Sequence, residues 1–352
     1  MKVGIFTSSI AGNYGGILQN YALQQVLRSL GHEPITIDHY KPYSQLRWIA
    51  GRIVHPSVKQ LVPFPFYGRI GSKKVLDFAF RNINRTKATR EVTASIIDKY
   101  KLDAIVVGSD QVWRKAYGNI NTAFLLFTEG YEIKRVAYAA SLGTEQWEYS
   151  DDETELCRNM VSRFNAVSVR EKSDVDLCQE HLGVSPEFVL DPTLLLESNH
   201  YNRFFVNENS QKKYLFAYIL DINQRKCEYV THLAKRLNLR PIIMSAENNT
   251  RGGDSIERWL TLLHGADFVV TDSYHGTLFS INFNKDFITM NNNRRGRSRF
   301  KSILGETRLL SRMIDSEDLP DTTTPDIAWD DVNNIIERER IKSLNFLKSS
   351  LL

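Results

Sequence analysis

The sequence predicts an α/β protein with two Rossmann-like domains whose parallel sheets face a cleft. The chain has 352 residues, and at about 150 residues per domain this length favours two domains. Short apolar runs alternate with helical patterns in two separate stretches, and such alternation is typical of parallel sheets. An apolar share of 42% with a charged share of 24% excludes a disordered or fibrous chain.

The first stretch opens with a β-α-β unit. Residues 3–7 are predicted to form a strand, followed by a helix that ends at Gly31 and a second strand at 34–38. The helix is predicted from apolar residues at helical spacing, namely Leu18, Tyr21, Ala22, Val26 and Leu30. Further strands are predicted at 104–108, 136–140 and 166–169. Ser173 is then expected to cap a helix that ends at Gly183, with Asp176 completing a capping box.

The second stretch repeats this alternation after a joining segment at 189–211. Strands are predicted at 214–220, 241–244 and 267–271, and helices at 226–237, 256–264 and 274–283. A last helix at 332–352 is expected to pack back on the first domain. The predicted boundaries are 1–188 for the N-terminal domain, 189–325 for the C-terminal domain and 326–352 for the final segment.

Positive charge is concentrated in one insertion. Residues 41–90 contain eleven Lys or Arg, one acidic residue (Asp77) and seven aromatic residues, although the whole chain carries only +4. Two interpretations stay open: contact with an anionic membrane surface, or a solvated insertion whose aromatic rings fold back onto the protein. Nucleic acid is not expected as a partner, because no nucleic-acid-binding motif accompanies the charge.

The chain shows no pattern of a membrane-spanning or secreted protein. No apolar run approaches the about 18 residues of a transmembrane helix, and residues 1–10 do not resemble a signal peptide. Cys157, Cys178 and Cys227 form no CxxC pair. We therefore expect a cytoplasmic protein, with peripheral contact at the inner membrane face if the insertion binds lipid.

Three polar loops follow predicted strands, where open parallel sheets bind ligands. The first contains Asn13, Tyr14, Gly15 and Gly16, and its glycines allow a ligand to approach the backbone at a helix N-terminus. A tight turn alone would also explain these glycines. Their spacing differs from GxGxxG, so no nicotinamide or flavin cofactor is expected.

The second loop has the composition of a sugar site. It contains Ser109, Asp110, Gln111 and Trp113; the carboxylate and the amide suit hydroxyl groups, and the indole suits the face of a sugar ring. Asp110 could accept the proton of an attacking hydroxyl group. The alternative is that Ser109 or Asp110 only caps a helix.

The third loop brings a histidine to the start of a helix. The run Ser273-Tyr274-His275-Gly276-Thr277 follows an apolar strand, and a histidine there can transfer protons near neutral pH. A structural role for His275 is the alternative. No cluster of His, Cys and carboxylate residues predicts a metal site.

Several arginines could bind an anionic ligand. Arg170 follows the strand at 166–169, and four more lie close together, namely Arg294, Arg295, Arg297 and Arg299. Guanidinium groups pair bidentately with carboxylate and phosphate, which favours a doubly anionic donor. A solvated surface loop is the alternative for the last four.

These residues lie within motifs that resemble the polysaccharide pyruvyl transferase family. The motifs are GNYGG at 12–16, QNYAL at 19–23, VGSDQVW at 107–113, YAASLG at 138–143, SVRE at 168–171, VLDPT at 189–193 and DSYHG at 272–276. They occur in the expected order up to about residue 300, where the asparagine- and arginine-rich loop also fits. The insertion at 41–90 and the C-terminal tail lie outside the resemblance.

The resemblance implies a fold similar to the two-domain GT-B glycosyltransferases and a reaction that moves the enolpyruvyl unit of phosphoenolpyruvate onto a sugar, with release of phosphate. His275 and Asp110 become the candidate catalytic pair. The C-terminal domain becomes the donor side, and its expected donor-binding residues, together with Arg170, are Ser273, Tyr274, Gly276, Thr277, Arg294, Arg295 and Arg299. The N-terminal domain becomes the acceptor side, with Asn13, Tyr14, Gly15, Gly16, Asn20, Ser109, Gln111 and Trp113.

One position departs from the family pattern. Some members carry arginine where this chain has Ser273, so Arg294, Arg295 or Arg299 is expected to take over that role. The acceptor expected is a galactose-type residue of a polysaccharide or of a lipid-linked oligosaccharide, the latter on a polyprenyl diphosphate, and no cofactor is expected. Two other functions stay open: a GT-B glycosyltransferase that uses a nucleotide-sugar, and a non-catalytic protein that binds carbohydrate or anions.

Overall fold

Two fully parallel β-sheets organise the protein, whose structure is a computed structural model that describes residues 1–40, 72–117, 119–208, 213–245, 254–291, 296–315 and 326–352. The first sheet has the strand order β2-β1-β3-β4-β5-β6 and the second has β11-β10-β9-β7-β8. Read from the opposite edge, the second sheet repeats the order of the first five strands of the other. Strand order reverses between β1 and β3, and again between β7 and β9.

The strands are short; eight of them lie close to predicted strands, whereas β6, β10 and β11 were not predicted. They are β1 (Lys2–Phe6), β2 (Glu33–Thr36), β3 (Ala104–Val107), β4 (Lys134–Ala140), β5 (Ala166–Val169), β6 (Glu187–Phe188), β7 (Tyr214–Ile219), β8 (Arg240–Ser245), β9 (Phe268–Thr271), β10 (Phe287–Asn291) and β11 (Met313–Asp315). Every residue of the central strands β3 and β9 is buried. Continuous apolar runs are typical of parallel strands because helices cover both faces of the sheet.

The helices connect and cover these strands. They are α1 (Tyr14–Ser29), α2 (Lys73–Asn82), α3 (Ser95–Tyr100), α4 (Ile120–Ala123), α5 (Asp151–Val161), α6 (Lys172–Leu177), α7 (Pro192–Leu195), α8 (Gln224–Arg236), α9 (Ile256–Gly265), α10 (Tyr274–Asn282), α11 (Ser298–Glu306) and α12 (Trp329–Ser350). Short 3₁₀ segments lie at Leu126–Thr128, Ser198–Phe204 and Leu310–Arg312, and a π-turn at Cys178–Leu182 follows α6.

Helix α1 lies between the two halves of the chain. Thirteen of its sixteen residues are buried, which is unusual for a helix that covers only one sheet. Tyr21 on this helix donates or accepts a hydrogen bond with Nε2 of His200 at 2.8 Å, and its ring packs edge-on against Phe204. One continuous hydrophobic cluster includes Val106 of the first sheet and Val269 of the second.

The C-terminal helix α12 contacts the first half of the chain. The Tyr138 ring on β4 packs against Phe346 at 6.2 Å between centroids. Oγ of Ser343 accepts a hydrogen bond from the backbone N–H of Leu190 at 3.0 Å. Helix α12 therefore packs on β4 of the first sheet.

Two sequence expectations need separate comment. The helix after β5 begins at Lys172, and Glu171 occupies its N-cap position without a capping bond from its side chain. The prediction that Ser173 caps this helix is therefore wrong. Most of the basic insertion (41–71) lies outside the described residues; of its remainder, α2 buries Phe78 against Phe204 at 5.0 Å. Within the described residues, no helix is long and apolar enough to cross a membrane.

Candidate active site

The candidate residues lie at the carboxyl ends of strands near both reversals of strand order. Asp110 follows β3 in the first sheet, and His275 follows β9 in the second. Ligands of open parallel sheets bind at these positions because adjacent loops leave in opposite directions and open a crevice. The two sheets direct these ends toward each other, since His275 contacts Gly15 at the start of α1.

His275 is buried between the two halves, with 6% of its surface exposed. A Cβ atom added to Gly15 would lie 1.9 Å from Nδ1 of His275, so the imidazole fills the space that a side chain at position 15 would take. On the other side of the ring, Nε2 lies 3.6 Å from Oδ2 of Asp191 and makes no hydrogen bond to any described residue. The Tyr274 ring packs edge-on against the imidazole at 5.3 Å.

Asp110 has a strained backbone and an ionised side chain. Its φ angle is +91°, a conformation that L-residues other than Asn and Asp rarely adopt and that is common at functional sites. Its Oδ1 accepts hydrogen bonds from the backbone of Gln111 at 2.9 Å and from Arg170 at 3.4 Å. Burial alone would raise the pKa of Asp110, but the charges of Arg170 and His275 lower it below its ordinary value.

Arg170 is enclosed by carboxylates and does not face the cleft. Its side chain is fully buried and donates to Asp191 at 2.9 Å, to Glu171 at 3.3 Å and to Asp110 at 3.4 Å. Burial would lower the pKa of Arg170, but Glu171 and the other acidic groups raise it further above its ordinary value. The expectation that Arg170 binds the donor directly is therefore corrected: this guanidinium holds the carboxylates of the site in place.

Asp191 joins the two halves of the site. Its Oδ2 accepts hydrogen bonds from Oγ of Ser109 at 2.8 Å and from Arg170, while Oδ1 accepts from the backbone and the hydroxyl group of Thr193 at 3.0 and 2.8 Å. Burial would raise the pKa of Asp191, but the nearby His275 and the charge of Arg170 lower it well below its usual range. The carboxylate is thus ionised and faces the imidazole.

A second carboxyl pair lies behind Arg170. Glu171 accepts a hydrogen bond from Ser141 at 3.0 Å, and Asp174 accepts one from the backbone of Leu142 at 2.9 Å. Both carboxyl groups are fully buried. Burial, and then the neighbouring charge of Glu171, raise the pKa of Asp174 well above its ordinary value. The neutral form of the Asp174 carboxyl group is therefore favoured in the folded protein.

Two arginines contact the ring of Tyr274. The guanidinium carbon of Arg170 lies 4.8 Å from the ring centroid and that of Arg299 lies 5.3 Å from it. Burial, and then the charge of Arg170, lower the pKa of Arg299 below its usual range. An anion beside Arg299 would relieve this repulsion, so Arg299 is the described arginine that best suits the donor role.

The three remaining acceptor-side residues at the cleft are Asn13, Gly16 and Gln111. Asn13 is exposed at the N-cap of α1, and its Nδ2 would be 3.2 Å from a Cβ atom added to Gly16. Gln111 donates to the carbonyl group of Gly143 at 3.4 Å. The same carbonyl oxygen would lie 2.5 Å from a Cβ atom added to Gly296, so the loop before α11 closes against the first half.

Four other predicted residues are buried for structural reasons. Trp113 is fully buried, donates to the carbonyl group of Ala123 at 3.0 Å and stacks on Phe124, so it cannot stack on a sugar here. Asn20 accepts from the Thr36 hydroxyl group at 2.7 Å inside the core. Tyr14 is buried against Tyr218 and Trp259 and donates to the carbonyl group of Asp254 at 2.6 Å. Ser109 is also fully buried and holds Asp191, which replaces its expected role in binding the acceptor.

The remaining donor-side residues shape the turn that carries His275. Ser273 caps α10 by accepting from Gly276 at 3.3 Å. A Cβ atom on Gly276 would lie 2.4 Å from the hydroxyl oxygen of Thr271, so glycine allows α10 to approach β9. Thr277 is fully buried and hydrogen-bonds Thr289 at 2.8 Å, which corrects its expected contact with the donor. Arg294 and Arg295 lie outside the described residues, and Arg297 is exposed.

Sequence reasoning missed Asp191, Glu171 and Asp174 as parts of the site. Asp191 precedes a proline, and Asp-Pro is typical of a helix start, which Asp191 also forms as N-cap of α7. The only signal of a second role was its place within the VLDPT motif. Nothing in the local sequence indicates that Glu171 and Asp174 are buried together.

Comparison with known proteins supports this architecture. A family model described as polysaccharide pyruvyl transferase matches residues 13–294, about four fifths of the chain. No curated protein sequence matches. Among solved structures, the chain is similar to S. aureus MnaA with UDP, at 12% identity over 89% of this chain and 83% of that one, with a TM-score of 0.51.

Two further solved structures are similar at lower TM-scores. UDP-N-acetylglucosamine 2-epimerase from Rickettsia bellii is 9% identical over 100% of this chain and 95% of that one, with a TM-score of 0.49. The spinosyn rhamnosyltransferase SpnG complexed with thymidine diphosphate is 9% identical over 99% and 96%, with a TM-score of 0.47. The two parallel sheets and the likeness to MnaA confirm the predicted GT-B-like α/β fold class.

Proposed function

Because the chain belongs to the polysaccharide pyruvyl transferase family, we propose that it moves the enolpyruvyl unit of phosphoenolpyruvate onto hydroxyl groups of a sugar. One observation carries the proposal. Neighbouring glycines at the start of α1 lie against the two candidate catalytic groups: Gly15 against His275, and Gly16 against Asp110, whose Oδ2 would be 3.4 Å from an added Cβ atom. A group that can donate a proton and an ionised carboxylate therefore lie against neighbouring residues of α1.

His275 is the proton donor in this proposal. Protonation of the methylene carbon of phosphoenolpyruvate gives a methyl group and leaves C2 with cationic character. An imidazolium is the side-chain acid available near neutral pH. Asp191 and Asp110 are the carboxylates near it.

Asp110 orients the sugar hydroxyl group and takes its proton as the oxygen attacks C2. A carboxylate with a lowered pKa is a weak base, but it is fully ionised at neutral pH. A weak base suffices here, because the electrophile is a carbocation-like carbon and the hydroxyl proton becomes strongly acidic as the C–O bond forms.

The remaining steps conserve atoms and charge. The bond from C2 to the phosphate oxygen breaks, and a second hydroxyl group of the sugar attacks C2 to close a pyruvate ketal. The sugar loses two hydroxyl protons. One balances the proton that is added to the methylene carbon, and the other leaves with phosphate. Arg299 is suited to the donor carboxylate or phosphate, since it lies beside Tyr274 next to His275.

The acceptor proposed is a galactose-type residue of a polysaccharide or of a lipid-linked oligosaccharide. The basic, aromatic composition of residues 41–90 supports peripheral association with the inner membrane face, where a polyprenyl-diphosphate-linked sugar would be presented. Co-sedimentation with anionic liposomes, decreasing as salt increases, tests this part separately.

The central test is phosphate release from phosphoenolpyruvate in the presence of a pool of galactosides. We expect acceptor-dependent release by the unaltered chain and at least an about 100-fold loss in His275→Ala, with an unchanged unfolding transition. His232→Ala is the matched control, because His232 lies on the exposed face of α8. Equal turnover in His275→Ala and His232→Ala would remove His275 from the mechanism.

A ligand panel distinguishes the proposal from glycosyl transfer. A ligand that binds only the folded state raises the melting temperature. We expect phosphoenolpyruvate to raise it in the unaltered chain. A shift with a UDP-sugar but none with phosphoenolpyruvate, together with no phosphate release, would contradict pyruvyl transfer.

A further inference from the structure

We propose that Asp191 is a positioning residue for His275: its carboxylate faces Nε2 of the imidazole, and Nδ1 is the nitrogen that exchanges protons with the substrate. The inference rests on the proposed function for the identity of the reaction, but its geometric part does not depend on the substrate. Its basis is the position of Asp191 on one side of the ring and Gly15 on the other.

The two oxygens of Asp191 have separate tasks. Oδ1 caps α7 through the backbone and the hydroxyl group of Thr193. A cap requires one oxygen only. Oδ2 points away from α7 and lies within 3.6 Å of Nε2 of His275, while Ser109 and Arg170 bind the same oxygen. Folding of α7 therefore does not explain the orientation of Oδ2.

The donors around Oδ2 come from both halves of the chain. Ser109 and Arg170 follow strands of the first sheet, whereas His275 starts α10 of the second half. Ser109 and Arg170 restrain the carboxylate at 2.8 and 2.9 Å, so its position is set before the imidazole approaches. A carboxylate held in this way selects the tautomer that carries hydrogen on Nε2 and fixes the ring plane.

Gly15 defines the other side of the ring. The three imidazole atoms Nδ1, Cγ and Cε1 lie 1.9, 2.4 and 2.6 Å from the Cβ position of residue 15. Any side chain there would displace the ring from Asp191 or cover Nδ1. Glycine at 15 thus permits the contact with Asp191 and keeps Nδ1 adjacent to the start of α1, where the backbone N–H groups of the helix are unsatisfied.

The charged and titratable groups that face this pair come from five elements. Asp110 follows β3, Arg170 follows β5, and Tyr274 precedes His275 on α10. Tyr138 on β4 and Tyr201 also lie within the field of Asp191. Arg170 pairs with both carboxylates, Asp110 and Asp191.

The experiment compares Asp191→Asn with Thr193→Val. Asn at 191 keeps the shape and the cap but loses the charge, whereas Val at 193 removes the hydroxyl bond to Oδ1 and leaves Oδ2 untouched. We expect kcat for phosphate release to fall at least about 100-fold in Asp191→Asn, with a smaller change in KM. In Asp191→Asn, the loss of activity with rising pH should also begin at a lower pH than in the unaltered chain. Thr193→Val should keep kcat and the pH profile even where it lowers stability, and equal losses of kcat in both variants would overturn the positioning role.

A measurement without substrate separates this inference from the proposed function. Full-length chain labelled with ¹⁵N-histidine contains 8 histidines, and His275→Ala identifies the signal of interest. We expect the Nε2–H tautomer in the unaltered chain and in Thr193→Val, and a changed tautomer population and titration midpoint in Asp191→Asn. Identical His275 signals in Asp191→Asn and the unaltered chain overturn the inference, whatever reaction the protein catalyses.

Discussion

Gly15 and Gly16 are adjacent, and the absence of a side chain at each position makes room for a different functional group. The space at Gly15 is filled by the imidazole of His275, and the space at Gly16 borders Asn13 and Oδ2 of Asp110. Neither glycine has a positive φ angle, so backbone conformation does not require glycine at these positions. Close approach of functional side chains is the physical reason for both.

Gly15→Ala is therefore expected to inactivate the protein without unfolding it. The added methyl group would lie 1.9 Å from Nδ1 of His275, and the ring must rotate away from Asp191. We expect phosphate release to fall by at least about 100-fold. Steady-state kinetics and a thermal melt of the same preparation measure both properties.

Gly305→Ala is the matched control for that substitution. Gly305 also lies in a helix, α11, but nothing lies within 4 Å of its Cβ position. Alanine there should leave activity unchanged and stabilise the protein by about 0.5–1 kcal/mol, because glycine lowers helix stability. Full activity of Gly15→Ala would contradict the close packing of His275 on α1.

The sequence predicts the loops that form the site more accurately than it predicts the side chains that face the site. Asp110, Gln111 and Trp113 follow one strand, but the positive φ of Asp110 changes the direction of the chain, and Trp113 enters the core. Residue type alone could not reveal that turn. The roles of His275 and Asp110 stay predictions, although the structure brings both to one site.

At the junction between β5 and α6, a local capping pattern predicts the wrong starting residue for the helix. Ser173 and Asp176 have the spacing of a capping box, which predicts a helix that begins at Asp174, but the helix begins two residues earlier, at Lys172. The backbone N–H of Lys172 donates to Oγ of Ser302 on α11 at 2.9 Å. Burial of Glu171 and Asp174 behind Arg170 fixes the start of the helix, so tertiary contacts outweigh a cap worth about 1 kcal/mol. The central strands β3 and β9 were predicted because continuous burial leaves its pattern in the local sequence, whereas β6, β10 and β11 were missed.

The buried carboxyl pair at this junction makes stability depend on pH. The raised pKa of Asp174 means that the folded state retains a proton that the unfolded chain releases above about pH 4. Its contribution is fully present below that pH and is lost as pH rises toward the pKa in the folded state. We expect Asp174→Asn, which stays neutral, to gain stability relative to the unaltered chain as pH rises from 4 to 7.

Urea denaturation across that pH range measures this difference. Asp176→Asn is the control on the same helix, because Asp176 is exposed, and its stability difference should vary little with pH. A constant difference between Asp174→Asn and the unaltered chain from pH 4 to 7 would show that Asp174 is ionised in the folded protein.

At the scale of the whole molecule, the two sheets repeat one strand order but do not form separate cores. Tyr14 of the first half packs on Trp259 of the second, and one cluster contains residues of both sheets. Backbone N–H groups of Lys172 and Leu190 donate to side chains on α11 and α12. This sharing was not visible in the sequence, because periodicity shows which face of an element is apolar but not which element covers it.

A shared core should make the two halves unfold together. Tyr214 is useful for a test, because its hydroxyl group donates to the carbonyl group of Leu262 at 2.9 Å entirely within the second half. Loss of this buried bond in Tyr214→Phe should cost about 1 kcal/mol. We expect hydrogen exchange to show equal decreases in opening free energy for β9, which belongs to the same sheet as Tyr214, and for β3 in the first sheet.

A decrease confined to β9 would mean that the second half opens independently. His275 could then separate from Asp191 and Gly15 without unfolding of the first half, and substrate entry would need only that separation. Equal decreases would mean instead that the site stays assembled unless the whole protein unfolds, so that ligands must enter through the loops at the strand ends.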